Sequence, residues 1–230
     1  MTPSNNLILR LQGGLVVSCQ AAPDEPLFGA GHMAAMARAA LAGGAVGIRA
    51  NGPEDIAAIR EAVDLPVIGI YKVDLPGFAV RITPTVEYAR QVSRAGAHII
   101  ALDATRRPHP DGLGLTERIR AVKQLTGCAV MADVSDLEEG LAAEAAGADL
   151  VGTTLSGYTS SEPPPPGPDF DLLEALAHKV QLPVVAEGRI ATPAQAAQAL
   201  ALGAFAVVVG GAITRPQWIT AQFVRQMQAH

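Results

Sequence analysis

Two charged residues in this chain close apolar runs that have no packing use for a charge. Lys72 follows Val67-Ile68-Gly69-Ile70-Tyr71, and Glu187 follows Val184-Val185-Ala186, with Gly188 directly after it. An amine and a carboxylate brought into one site can move protons, with lysine as the candidate base and the acid as its partner. Further apolar runs end in Ser18-Cys19-Gln20, Arg49-Ala50-Asn51, Asp103-Ala104-Thr105, Asp133, Thr153-Thr154 and Gly210-Gly211. A lone Lys or Glu is normally a solvated surface charge. Acid, amine, guanidinium and amide all ending apolar runs argue for a shared site.

The runs read as continuous Val/Ile/Ala segments, as expected of parallel strands covered by helices on both faces. A repeated signal sets their order. A helix ending in Gly-Ala, then an apolar strand, recurs at Gly44, Gly96, Gly147 and Gly203, roughly two βα units apart each time. Glycine after a last helical turn accepts the left-handed conformation that stops a helix. Leu65-Pro66-Val67 and Leu182-Pro183-Val184 mark further strand starts, because Pro suits a strand's first residue.

Counting both signals gives eight strands, at 15–20, 45–50, 67–72, 98–103, 129–133, 150–154, 184–187 and 206–210. The helices between them are predicted at 33–42, 53–63, 84–95, 115–125, 137–146, 170–180, 193–202 and 216–228. Four of these begin with Pro (Pro53, Pro84, Pro193, Pro216), the residue suited to a first helical position, and Asp136 is placed to cap a fifth. Strict alternation over 230 residues predicts an α/β protein with a parallel sheet. Eight units favour closure into a single-domain (β/α)8 TIM barrel over an open doubly wound sheet. The active site is then expected at the C-terminal ends of the strands.

Composition narrows the function. Hydrophobic residues make up 49%, aromatics 4%, and the net charge is −5. With a pI near 5.5, no basic stripe supports nucleic-acid binding. Cys19 and Cys128 read as small hydrophobes of a reducing compartment. The polar opening Met1–Asn6 lacks a secretory pattern, and the apolar stretch 194–213 switches from helical to strand character at Gly203-Ala204. A cytoplasmic protein with no membrane partner is expected. His32, His98, His109, His178 and His230 show no metal-ligand spacing, and no GxGxxG follows the first strand, so neither a metal nor a dinucleotide cofactor is expected.

Loops after strands 7 and 8 of such barrels often hold phosphate. Here they are Glu187-Gly188-Arg189 and Gly210-Gly211-Ala212-Ile213-Thr214-Arg215. Gly188, Gly210 and Gly211 let backbone approach an anion, and Arg189 or Arg215 could neutralise it. The loop 155–169 carries Pro163-Pro164-Pro165-Pro166, a stiff segment that reads either as a spacer or as a lid over the barrel mouth. The last helix presents Trp218, Ile219, Phe223 and Val224, an apolar face suited to a homodimer.

Several words of the sequence are similar to the N-acylglucosamine-6-phosphate 2-epimerase family. They include Gly14-Leu15-Val16-Val17-Ser18-Cys19-Gln20-Ala21, Gly47-Ile48-Arg49-Ala50-Asn51-Gly52, Pro66-Val67-Ile68-Gly69-Ile70-Tyr71-Lys72 and Gly152-Thr153-Thr154-Leu155-Ser156-Gly157-Tyr158-Thr159. Ile82-Thr83-Pro84-Thr85, Asp103-Ala104-Thr105 and Val209-Gly210-Gly211-Ala212-Ile213-Thr214-Arg215-Pro216 complete the ordered series. The resemblance implies interconversion of N-acetylmannosamine 6-phosphate and N-acetylglucosamine 6-phosphate in sialic acid breakdown, without a cofactor. It implies ring opening, proton removal at C2 by Lys72, and proton return on the opposite face. Glu187 would exchange protons or hold a substrate hydroxyl, and Arg49 and Gln20 would face the enolate oxygen. Asp133 would orient Lys72 or bind a hydroxyl, while Thr153 and Tyr158 would contact the sugar or its acyl group. Two rival readings share the fold: a synthase or decarboxylase acting on a phosphosugar, and a catalytically silent phosphosugar sensor.

Overall fold

In a computed structural model, the chain is described over residues 3–159 and 166–228, with side chains from Asn6 onward. Eight parallel strands close into a barrel in chain order, each paired with the next and β8 with β1. They are β1 Leu15–Cys19, β2 Gly47–Asn51, β3 Val67–Ile70, β4 Ile99–Asp103, β5 Ala129–Asp133, β6 Leu150–Gly152, β7 Val184–Glu187 and β8 Ala206–Val209. The expected (β/α)8 TIM barrel is therefore the fold this chain adopts.

Among the described residues ten helices accompany them: α1 Pro3–Leu9, α2 Ala30–Ala42, α3 Pro53–Ala62, α4 Val86–Arg94, α5 Leu115–Thr126, α6 Leu137–Ala145, α7 Phe170–Lys179, α8 Pro193–Ala201, α9 Gly211–Thr214 and α10 Pro216–Gln228. Gly44, Gly96, Gly147 and Gly203 all adopt positive φ just past α2, α4, α6 and α8. The repeated glycine is thus a helix stop. Asp136 caps α6 by accepting from the Glu139 N–H. The apolar stretch 194–213 divides among α8, β8 and α9, and no helix of the described residues is long and apolar enough to cross a membrane.

Some expectations fail. Pro84 does not open a helix: Thr85 caps α4, which begins at Val86. β3 stops at Ile70, and Lys72 makes an isolated antiparallel bridge with Ile82 instead of extending the strand. Two helices, α1 and α9, were not expected. Ile8 at the end of α1 and Leu11 just beyond it are buried and close the N-terminal end of the barrel, and the Gly13 N–H donates to the Phe205 carbonyl beside them.

Two hydrophobic layers follow from the strand period of two. Ile68, Ile70, Ile99, Ala101, Met131, Leu150, Val185, Ala206 and Val208 share the barrel interior with Leu11 and Val16. Their alternates, among them Ile48, Val67, Ile100, Leu102, Val130, Val151 and Val207, pack against the helices. Carried to the strand ends, the interior parity falls on Ser18, Arg49, Asp103, Asp133 and Glu187, and just beyond the strands on Gln20, Lys72, Thr154 and Gly210. The fold thereby aims these residues at one mouth.

Candidate active site

At that mouth lies a cavity of about 730 Å³, in the range of small-molecule sites. Lys72, Glu187, Gln20, Tyr158, Gly188, Arg189, Gly210, Gly211 and Arg215 all border it. Three other expected site residues, Arg49, Asp133 and Thr153, are not among its lining residues.

Arg49 and Asp133 form a floor beneath the cavity. Both are buried, and they pair face to face: Arg49 Nη2 donates to Asp133 Oδ2 at 2.5 Å and Nη1 to Oδ1 at 3.2 Å. Arg49 Nη1 also pairs with Glu187 Oε2 at 2.7 Å. Burial opposes charge on Arg49, but the Asp133 and Glu187 carboxylates outweigh it and hold the guanidinium ionised. Asp133 therefore braces Arg49 rather than Lys72. Its Oδ1 accepts a further bond from the Thr154 hydroxyl at 2.7 Å.

Lys72 stands open to the cavity. Its backbone N–H donates to Asn51 Oδ1 at 2.7 Å. On the other side Thr83 clips the strand end, accepting from the Tyr71 N–H at 3.1 Å and donating to the Ala101 carbonyl at 2.7 Å. Thr83 holds φ at +44°, a conformation strained for a β-branched residue. Among the described residues no ion pair reaches the Lys72 amine. Its pKa is pushed down to about 8, first by the loss of water within the rim, then by Arg49 and Arg215, against the opposing pull of Glu187 and Asp133. A useful fraction of the amine is thus neutral near pH 7, as a base requires.

Glu187 moves the other way. Burial raises its pKa and Asp133 adds to the rise, while Arg49, Lys72 and the Thr154 bond oppose without cancelling it. Thr153 is not beside its carboxylate. The Thr153 hydroxyl donates to the Glu187 carbonyl at 2.8 Å and accepts from the Glu187 N–H at 3.0 Å, tying β6 to the end of β7. The neighbouring Thr154 is the threonine at the cavity wall, 3.1 Å from Glu187 Oε2.

On the side where phosphate was expected, the first N–H groups of α9 have no helical partner and lie at the cavity beside Gly210 and Gly211. Arg215 borders the same space but pairs with Glu25, at 3.0 Å from Nε and 3.2 Å from Nη2. Arg189 is committed to the loop after β6: Nε donates to the Gly167 carbonyl at 2.7 Å, Nη1 to the Ser156 carbonyl at 2.6 Å, and the guanidinium lies 5.4 Å from the Tyr158 ring centre. Gln20 donates to Ser18 Oγ at 2.8 Å, and its buried Oε1 is unpaired. Pro166 borders the cavity, while prolines 163–165 lie outside the described residues.

Sequence reasoning passed over Arg107, which borders the cavity beside Asp103, a strand end it had named without giving it a role. Asp103 is buried and held by Thr105 Oγ1 at 2.6 Å and Arg107 Nη2 at 2.6 Å. No group of three or more His, Cys, Asp or Glu among the described residues could hold a metal ion. Cys19 is no nucleophile, since burial pushes its thiol up to about 12.

A family model, NanE, described as "Putative N-acetylmannosamine-6-phosphate epimerase", matches residues 33–229. Among similar proteins, one from Caldanaerobacter subterraneus subsp. tengcongensis is 53% identical over 95% of this chain and 93% of its own length. One from Cutibacterium acnes is 51% identical over 96% of each chain. Both carry the name "Putative N-acetylmannosamine-6-phosphate 2-epimerase". The solved N-acetylmannosamine-6-phosphate 2-epimerase of Clostridium perfringens superposes with a TM-score of 0.92 at 46% identity, covering 95% of both chains.

Proposed function

The chain belongs to the N-acetylmannosamine-6-phosphate epimerase family, and from that membership we propose that it is an isomerase interconverting N-acetylmannosamine 6-phosphate and N-acetylglucosamine 6-phosphate. The observation that carries the reading to chemistry is the pairing of shifted groups at one cavity: an amine pushed toward neutrality and a carboxyl held above its usual range. Ring opening exposes an aldehyde that acidifies the C2 proton. Lys72 takes or returns this proton on one face, and Glu187 serves the other or holds a hydroxyl. Arg49 keeps Glu187 in place from below, and Gln20 offers its amide to the substrate from the cavity wall.

The phosphate sits at Gly188, Gly210, Gly211 and the α9 N–H groups. Arg215 turns toward it in competition with Glu25, and Arg189 shapes the wall. Replacing Arg215 with alanine is expected to raise KM about tenfold or more with kcat little changed, the pattern of lost uniform binding. An unchanged KM would assign the phosphate to other groups.

Incubating the protein with N-acetylmannosamine 6-phosphate tests the reaction itself. The expected result is a second N-acetyl methyl signal by NMR, growing to a steady ratio. A substrate spectrum that never changes would favour the sensor reading. Loss of carbon or condensation with a second molecule would favour the decarboxylase or synthase.

The exposed face of α10 supports a homodimer. None of its residues is buried, and Trp218, Phe223, Val224 and Met227 are exposed along it. A second copy covering this face makes the homodimer. Sedimentation is expected to give twice the chain mass, and a monomer at micromolar concentration would contradict it. We place the activity in the cytoplasm, on sialic acid breakdown, where free Cys19 and Cys128 stay reduced. Recovery of the protein outside the cytoplasm on cell fractionation would overturn that placement.

A further inference from the structure

The Thr154 hydroxyl has two acceptors and one proton. It lies 2.7 Å from Asp133 Oδ1 and 3.1 Å from Glu187 Oε2. A threonine hydroxyl carries a single O–H, so it donates to one carboxylate at a time. The space for this junction comes from Gly152. A Cβ there would sit 2.3 Å from Met131 Cε and 3.1 Å from both Asp133 Oδ1 and Thr154 Oγ1. From this geometry we propose that Thr154 is a positioning residue whose O–H turns between Asp133 and Glu187 as Glu187 gains and loses a proton. The inference rests on the reading that Glu187 exchanges protons with the substrate.

The step balances without a co-reactant. Glu187 Oε2 is engaged by Arg49 and Thr154, which leaves Oε1 for the substrate. When Oε1 takes the C2 proton, the C–H bond breaks, an O–H bond forms, and the electron pair remains on the substrate as the enolate. Oε2 then belongs to a neutral acid and is a weaker acceptor than the Asp133 carboxylate, so the Thr154 O–H swings to Asp133. Return of the proton to carbon reverses each change. Thr154 never loses its proton. Arg49 holds the carboxyl group in place throughout, so both protonation states occupy one position.

The groups facing Glu187 are Arg49 from β2, Lys72 beyond β3, Asp133 from β5 and Thr154 beyond β6. Arg49, Lys72 and the Thr154 bond all favour the ionised form, and Asp133 opposes it. Thr154→Val keeps the side-chain shape and removes the hydroxyl. For the sugar whose C2 proton Glu187 takes, the acid limb of kcat/KM should then move to higher pH and kcat should fall about 10–100-fold, the loss expected of a hydrogen bond to a charged group. KM should stay within about twofold. Thr154→Ser keeps the O–H and should leave the acid limb in place, which a purely structural role would not distinguish. If the Val variant does not fold, Thr154→Cys, a weak donor of similar size, carries the same expected shift. An acid limb unmoved in the variant lacking a strong donor, while wild-type protein exchanges the C2 proton with solvent, overturns this inference alone. Wild-type protein that places no solvent deuterium at C2 removes both this inference and the reading beneath it.

Discussion

Replacing Lys72 with alanine is expected to lower kcat for epimerisation by about 10⁴-fold, the upper end of what one positioned acid–base group supplies. Phosphosugar affinity should change by no more than about threefold, because the proposed phosphate site, Gly210, Gly211 and Arg215, lies on the segment after β8 and does not include Lys72. Isothermal titration and a steady-state assay separate the two quantities. The pH dependence follows with a definite sign. In the direction in which Lys72 takes the C2 proton the amine must be neutral, so kcat/KM for that sugar should climb as pH rises through about 8, where the Lys72 amine loses its proton. A variant that turns over normally would remove Lys72 from the chemistry.

Arg49 carries the largest expected effect on stability. It is buried and serves two carboxylates, Asp133 at 2.5 Å and Glu187 at 2.7 Å. Removing one member of such a group leaves uncompensated charge in the interior, so Arg49→Met should cost about 3–5 kcal/mol of folding stability. The cost should depend on pH. Without the guanidinium that opposes it, the burial-raised folded-state pKa of Glu187 rises further above its unfolded value. The folded chain then binds more protons than the unfolded chain, and stability falls as pH rises through the carboxylate range. Urea denaturation at pH 5 and pH 8 is expected to show the larger deficit at pH 8. A variant as stable as wild type at both would show that the floor is dispensable to folding.

Lys72 and Glu187 could be picked out from sequence because a charge at the end of a strand covered on both faces has no packing role. The repeated glycines were equally plain, since a positive φ after a helix leaves few alternatives. The Arg49–Asp133 pair was not, because the two residues stand 84 positions apart and meet only when the barrel closes. Thr153 was chosen over Thr154 because the whole threonine pair was read as a strand end. The interior parity of Leu150 and Gly152 points to Thr154, a signal available in the sequence once the alternation is counted. The helices α1 and α9 escaped notice because each is too short for a periodic pattern. Pro84 misled because Thr83 needs a strained backbone to clip β3 to β4, which delays the start of α4 to Val86.

The central claim is that an amine and a carboxyl group at one barrel mouth break and remake a single carbon–hydrogen bond. Proton NMR of N-acetylmannosamine 6-phosphate turned over in D2O tests it most directly. The account predicts that the C2 proton signal disappears from both sugars as they interconvert, and that the Lys72→Ala protein no longer interconverts them. Full interconversion with the C2 proton retained, or interconversion undiminished without Lys72, would contradict it.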